Sequence, residues 1–383
     1  MPNSDFDFLN AGDRDFYSLE EVTEHIKETA TLSEIDGDLS VIGSICDFDS
    51  SEELVESTQS HFHIEERHGN LLLLNAKALD VPYYVFLSDE FPIWFTTGRK
   101  TEDMPESIDA YLKSERKIGR MWISKTQMEN LRQRIVNRYS DVLMPYFTAS
   151  RSQHSEISAK RRPRFERTFQ YYGKDGLETF NEIKYEYGVL PTNLKFQKSN
   201  EFKFRVTTRG VFTIKNGGLP EVLSVIQDSI ERLKEVKDAI DTSGFKRTKN
   251  KFASGQTIPE SHPWAVQLES AVTQADIERL EEEIQEWEFN IGELDISFSE
   301  EPEPPDVNFD GESLQQQQLV ERSSPHLKAE LIDERSYGKT VLRTHEDAIR
   351  IYPREDTGID QSIRLFEFIS DQIDANARPT RVS

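Results

Sequence analysis

The charge on this chain changes sign twice along its length, and that pattern constrains it more than any motif. Residues 1–110 hold 25 Asp and Glu against 6 Lys and Arg. Residues 111–255 reverse the balance, with 29 cations and 16 acids. Residues 256–383 return to 29 acids against 11 cations. A cationic middle between two anionic ends has two readings. In one, the opposite charges pair within the molecule, because they meet before any ligand arrives. In the other, the centre stays open to an outside polyanion, most simply DNA or RNA, held through its phosphates.

The net charge of −24 makes the surface as a whole repel nucleic acid and anionic lipid, so any polyanion contact must be local. An acidic excess with arginine ahead of lysine also matches proteins of salt-accumulating cells, where carboxylates keep the surface hydrated. The 23 Phe and 12 Tyr residues supply enough apolar area to offset chain entropy in real cores. The single cysteine, Cys46, excludes an internal disulfide framework or a Cys-rich zinc module. No apolar stretch is long enough to span a bilayer. The acidic start MPNSDFDFLN resembles neither a secretory nor a transit leader. These features predict a cytoplasmic protein with no membrane partner.

Hydrophobic periodicity predicts an α+β fold of antiparallel hairpins with flanking helices. Ser18 with Glu21, and Ser124 with Gln127, read as capping boxes. Strands are expected at 39–48, 61–66, 70–75, 118–123, 142–147 and 167–172, and hairpins at 83–97 and 201–215. The run 118–147 reads as strand–helix–strand, and a parallel βαβ unit is one way to connect it. A helix at 176–187 is expected to start at Asp175 and stop at Gly188.

Val222, Ile226, Ser229, Leu233, Val236 and Ile240 alternate by four and three, as do Ile277, Leu280, Ile284, Trp287 and Ile291. The simpler reading is a central helical pair, packed on each other antiparallel or on a sheet, and the sharper one is a homo-oligomer seam. The domains expected from this pass are an acidic strand-rich domain at 1–117, a basic α+β domain at 118–219 and the helical pair at 220–298. A disordered acidic and Gln-rich linker at 299–325 would then lead to a small hairpin–helix unit at 326–383. Three stretches, from Tyr84, Phe202 and Val341, share a hairpin–turn–helix grammar that would make ββα repeats. That arrangement is common, so independent occurrence is the simpler account.

The candidate nucleic-acid-binding residues are Arg151, Lys160, Arg161, Arg162, Arg164 and Arg167, followed by Phe169, Tyr171 and Tyr172. Arginine forks fit phosphates and exposed aromatics stack on bases. A second group is Lys246, Arg247, Lys249 and Lys251. The leading expectation is a non-enzymatic protein that associates with nucleic acid through its basic centre.

Other chemistry is weakly signalled. His61, His63 and His68 lack the spacing of a defined metal site, and no cofactor is expected. Glu201 and Lys203 on a strand, with Asp175 upstream, match the ligand pattern of a metal-dependent nuclease. Glu-x-Lys occurs four times in this charge-rich chain, as chance delivers. Gly338-Lys339-Thr340 lacks the upstream glycine of a phosphate loop and leads into a strand.

Overall fold

A computed structural model of the chain describes residues 13–29, 38–79, 81–88, 90–151, 157–240, 246–249, 257–260, 263–298, 325–354 and 357–382. The expected linker, apart from Pro325, lies outside the described residues, as does Lys251. The described chain is mixed α+β, with antiparallel pairing throughout its sheets. It divides into two compact units, 1–234 with 358–363, and 235–357 with 364–383.

The first unit opens with α1 (Leu19–Thr29), whose Ser18–Glu21 capping box forms in both directions. Then follow β1 (Leu39–Cys46), α2 (Ser51–Thr58), β2 (Phe62–His68), β3 (Leu71–Ala76), β4 (Pro82–Phe86) and β5 (Ile93–Thr96). After α3 (Asp103–Glu106) and α4 (Ile108–Ser114), β6 (Ile118–Arg120) returns to pair with β1. β1 is buried along its whole length, which is why LSVIGSIC reads as a nearly continuous apolar run. Beside it, Phe62, Tyr83, Trp94 and Tyr111 interlock with rings 5.3–5.8 Å apart. Their polar ends are satisfied internally. Tyr111 bonds Ser57 at 2.5 Å, and the Trp94 indole donates to the Ser44 hydroxyl at 3.0 Å.

The chain continues through α5 (Lys125–Arg138), β7 (Leu143–Arg151), β8 (Arg167–Tyr172), α6 (Gly176–Tyr187), β9 (Leu190–Lys198), β10 (Phe202–Thr207) and β11 (Val211–Gly217). These strands extend the same sheet in the order β2-β3-β4-β5-β1-β11-β10-β9-β7-β8. The junction expected at 117/118 therefore lies within one sheet. The strand–helix–strand run is not a parallel unit, because β6 pairs antiparallel with β1 and β7 antiparallel with β8 and β9. The Ser124–Gln127 capping box forms as expected, and Gly188 ends α6 with φ 62°. Asp175 does not cap α6 with its side chain; its carboxylate accepts the Tyr171 hydroxyl at 2.6 Å.

α7 (Leu219–Ala239) carries the first expected seam, and Val222, Ile226, Leu233, Val236 and Ile240 are all buried within the single chain. The second unit contains a short β12 (Lys246–Lys249) and β13 (Thr257–Glu260) pair, then β14 (Trp264–Gln267) and α8 (Gln274–Glu283). β15 (Phe289–Phe298), β16 (Pro325–Asp333), β17 (Lys339–His345), β18 (Ala348–Pro353) and β19 (Arg378–Arg381) complete it, together with α9 (Ile359–Gln372) from Arg364 onward. The second expected seam is corrected here. After α8 comes one 3-10 turn, Glu288 turns left-handed at φ 65°, and Ile291 belongs to β15. α8 is the crossover between β14 and β15.

The same order of elements recurs. β1-α2-β2-β3-β4-β5-α3/α4-β6 gives strand order 2-3-4-5-1, with β6 added beside β1. β14-α8-β15-β16-β17-β18-α9-β19 gives the equivalent order, with β19 added beside β14. Between them, α5-β7-β9-β10-β11-α7 repeats the inner part of the run, without its opening and closing strands and with β8 and α6 inserted after β7. The three hairpin–helix stretches seen in the sequence are the last two strands and closing helix of each copy. They are equivalent positions in one repeated topology, not scattered hairpins.

Candidate functional site

The arginine-rich segment does not act as one patch. Arg151 is only 3% exposed. Its guanidinium donates to the carbonyls of Pro163 at 3.1 Å, Ile157 at 2.7 Å and Gly188 at 3.0 Å. Arg151 is therefore a fastener for residues 157–163 and Gly188, not a phosphate contact, because it is buried and makes three bonds to backbone. Arg161 pairs with Glu186 at 2.7 Å. Lys160 sits 3.5 Å above the Tyr185 ring, and Arg167 4.8 Å above Tyr187. Arg162 and Arg164 are exposed beside exposed Phe165, and neither has an ion-pair partner among the described residues. Lys246, Arg247 and Lys249 lie on β12, in the second unit.

The stronger concentration of charge lies on the sheet itself. In β7, β9, β10 and β11 the residues alternate between the two faces, with bulges at Leu143/Tyr146, Thr148/Ala149 and Lys203/Phe204. Phe147, Leu194, Phe196, Phe204, Val206, Phe212 and Ile214 point to one face and are buried. Phe147 packs edge-on against Phe180 of α6 at 5.2 Å, so the helices cover that face. The opposite face carries Tyr146, Lys195, Arg205 and Thr213 in directly paired register across the four strands. Tyr172 of β8 extends this row beside Tyr146, with ring centroids 4.7 Å apart. Phe169 and Tyr171 point the other way, over Tyr187 and Phe147, as the alternation of β8 predicts.

Lys195, Lys203, Arg205 and Lys215, with Lys100 from the segment after β5, line one cavity of about 380 Å³. Tyr146, Tyr172, Thr101 and Thr213 contribute to its walls. Five cations there face one carboxylate, Asp38, which pairs with Lys215 at 2.9 Å. Arg205 lies 4.9 Å over the Tyr146 ring and donates to the Asn193 side-chain oxygen at 2.7 Å.

The crowding shows in the titration of the lysines. Desolvation, then Arg205, Arg120 and Arg209, lowers the pKa of Lys100 to about 8, although the residue as a whole keeps access to solvent. Desolvation, then Lys203, Lys215 and Arg205, lowers Lys195 as well. Cations that destabilise each other in the empty protein are stabilised by an anion placed among them.

Of these five, the sequence singles out only Lys203, and there as part of a nuclease pattern with Glu201, not as a phosphate contact. A signal was present nonetheless. Lys195-Phe196-Gln197 and Lys203-Phe204-Arg205 alternate cation or amide with aromatic on two strands joined by a tight turn. A hairpin register places Lys195 opposite Arg205.

The remaining motifs stay apart. Glu201 lies in the turn before β10 and pairs with Lys198 at 2.7 Å. His68 bonds Glu66 at 2.9 Å, and His61 packs against Tyr111. Among the described residues there is no group of three His, Cys, Asp or Glu that could hold a metal ion. Among them, too, no helix is long and apolar enough to cross a membrane.

A protein-family model described as a family middle domain matches residues 126–209, a span from α5 to the turn after β10. The chain is also similar to an uncharacterized protein of Archaeoglobus fulgidus. The two are 27% identical over 368 residues, which cover 93% of this chain and 94% of the relative. No solved structure matches the chain.

Proposed function

We propose that this is a non-enzymatic nucleic-acid-binding protein of the cytoplasm, and that the uncovered face of β7, β9, β10 and β11 is its binding surface. One observation carries the reading: five cations and two tyrosine rings converge on one concave site that holds a single carboxylate. Lysine and arginine supply phosphate contacts, and the exposed Tyr172 ring, backed by buried Tyr146, supplies sequence-tolerant stacking. The net charge of −24 on the chain as a whole works against loose, non-specific attachment, so contact is confined to this face. Arg162, Arg164 and Phe165 offer a secondary contact next to the start of β8.

The test is a titration of the full chain with fluorescent DNA and RNA oligonucleotides at several salt concentrations. A fragment of residues 111–255 would break the sheet between β1 and β11, so it is not a fair substitute. Binding should weaken steeply with salt. Lys195→Glu with Arg205→Glu should lower affinity at least tenfold, while Arg162→Glu should have a smaller effect. Absence of binding to every oligonucleotide at low salt removes the proposal.

A further inference from the structure

The shape of the site says more than its charge. A polyanion could be held by a flat basic surface, but here the cations line a hollow of about 380 Å³. That lies within the roughly 300–1,000 Å³ range of small-ligand sites, large enough for one nucleotide unit and too small to admit a duplex. Tyr172 stands at its rim and is 71% exposed. An exposed aromatic ring at a sheet edge is poorly used by the fold. The Tyr172 ring is nonetheless held in place. Tyr146 supports its flank at 4.7 Å, and the Gln170 side-chain amide donates to its hydroxyl at 2.8 Å. Lys195 and Arg205 lie beyond Tyr146 in the same row.

We propose that the hollow receives one unpaired nucleotide of a strand, with its phosphate between Lys195 and Arg205 and its base against the open face of Tyr172. The protein then selects single strands over duplex, because a paired base is stacked between its neighbours and cannot lie on the ring. This rests on the open sheet face being the nucleic-acid surface.

The experiment compares full-length protein, Tyr172→Ala and Tyr172→Phe against a labelled single strand and the same strand annealed to its complement. Uridine and adenosine monophosphates serve as competitors. Tyr172 is exposed, and thermal melts confirm that the variants fold. The expected result is at least tenfold preference for the single strand, about tenfold weaker single-strand binding by Tyr172→Ala, and near-normal binding by Tyr172→Phe. Equal affinity for both forms, unchanged in Tyr172→Ala, overturns the inference and leaves the basic face as a general polyanion surface. No binding to either form overturns both. Monophosphates that compete as well, per nucleotide, as the oligomer reassign the hollow to free nucleotides and overturn the strand preference.

Discussion

Lys195 and Arg205 stand directly opposite each other on neighbouring antiparallel strands, two cations in one cross-strand pair. Like charges so placed cost a sheet roughly 0.2–1 kcal/mol. The arrangement works against stability and is relieved by an anion. Lys195→Thr should therefore raise the unfolding free energy read from urea titration by up to about 1 kcal/mol, while lowering oligonucleotide affinity. Its log–log salt slope should fall by about one unit, as expected for one phosphate contact removed. Loss of both stability and binding would show that Lys195 serves the fold.

Lys100 makes the site sensitive to pH. Its pKa is lowered to about 8 by desolvation and by Arg205, Arg120 and Arg209. Anion binding needs the ammonium, so affinity should fall as pH rises through about 8 and should be flat there in Lys100→Met. Folding stability should move the other way. Above pH 8 the folded protein has released a proton that the unfolded chain keeps up to its ordinary value of 10.5, so this group makes stability rise with pH between them. Titrations at pH 7 and 9 on both proteins check the first effect, and urea unfolding at the same pH values checks the second.

Glu129 of α5 is 4% exposed and is met by Arg132 at 2.7 Å, Lys184 at 2.6 Å and Gln133 at 2.8 Å. Desolvation pushes its carboxyl upward, but the bonds from Arg132, Lys184 and Gln133 outweigh it and hold the pKa below 4.5. The stability it contributes is present above that value and is lost as pH falls through the lowered one. Glu129→Ala strands Arg132 and Lys184 beside an apolar interior. It should cost about 3–5 kcal/mol by chemical denaturation, as for other broken buried pairs. A change under 1 kcal/mol would mean that water replaces the carboxylate.

Arg151 should behave as a structural residue. Arg151→Met leaves the carbonyls of Ile157, Pro163 and Gly188 without this donor, each a loss of roughly 1–3 kcal/mol if it stays buried. Residues 157–166 should become susceptible to limited proteolysis. If Arg151→Met instead retains stability and protease resistance but loses oligonucleotide binding, the residue faces ligand after all.

The sequence by itself determined the local elements. Period-two alternation located β4, β5, β10, β11, β17 and β18, and capping boxes set the starts of α1 and α5. The left-handed Gly188 stopped α6, and three hairpin–helix stretches shared a grammar, although independent occurrence was the simpler account of it from sequence alone. It also located the positive charge in the middle third. Local spacing misled where its cue outlasted its element. The four-and-three pattern through Ile291 runs past Trp287, but Glu288 turns left-handed and the chain leaves as β15.

Only the tertiary structure decided which cations are available. Alternation says that Lys195 and Phe196 face opposite ways, but it does not say which face the helices cover. That depends on α5 and α6 packing on the Phe147 side, through contacts far apart along the chain. The same long-range packing consumes Arg151 inside the fold and brings Lys100 from the segment after β5 to Lys203, Arg205 and Lys215. Charge is written residue by residue, whereas exposure and convergence are properties of the packed sheet.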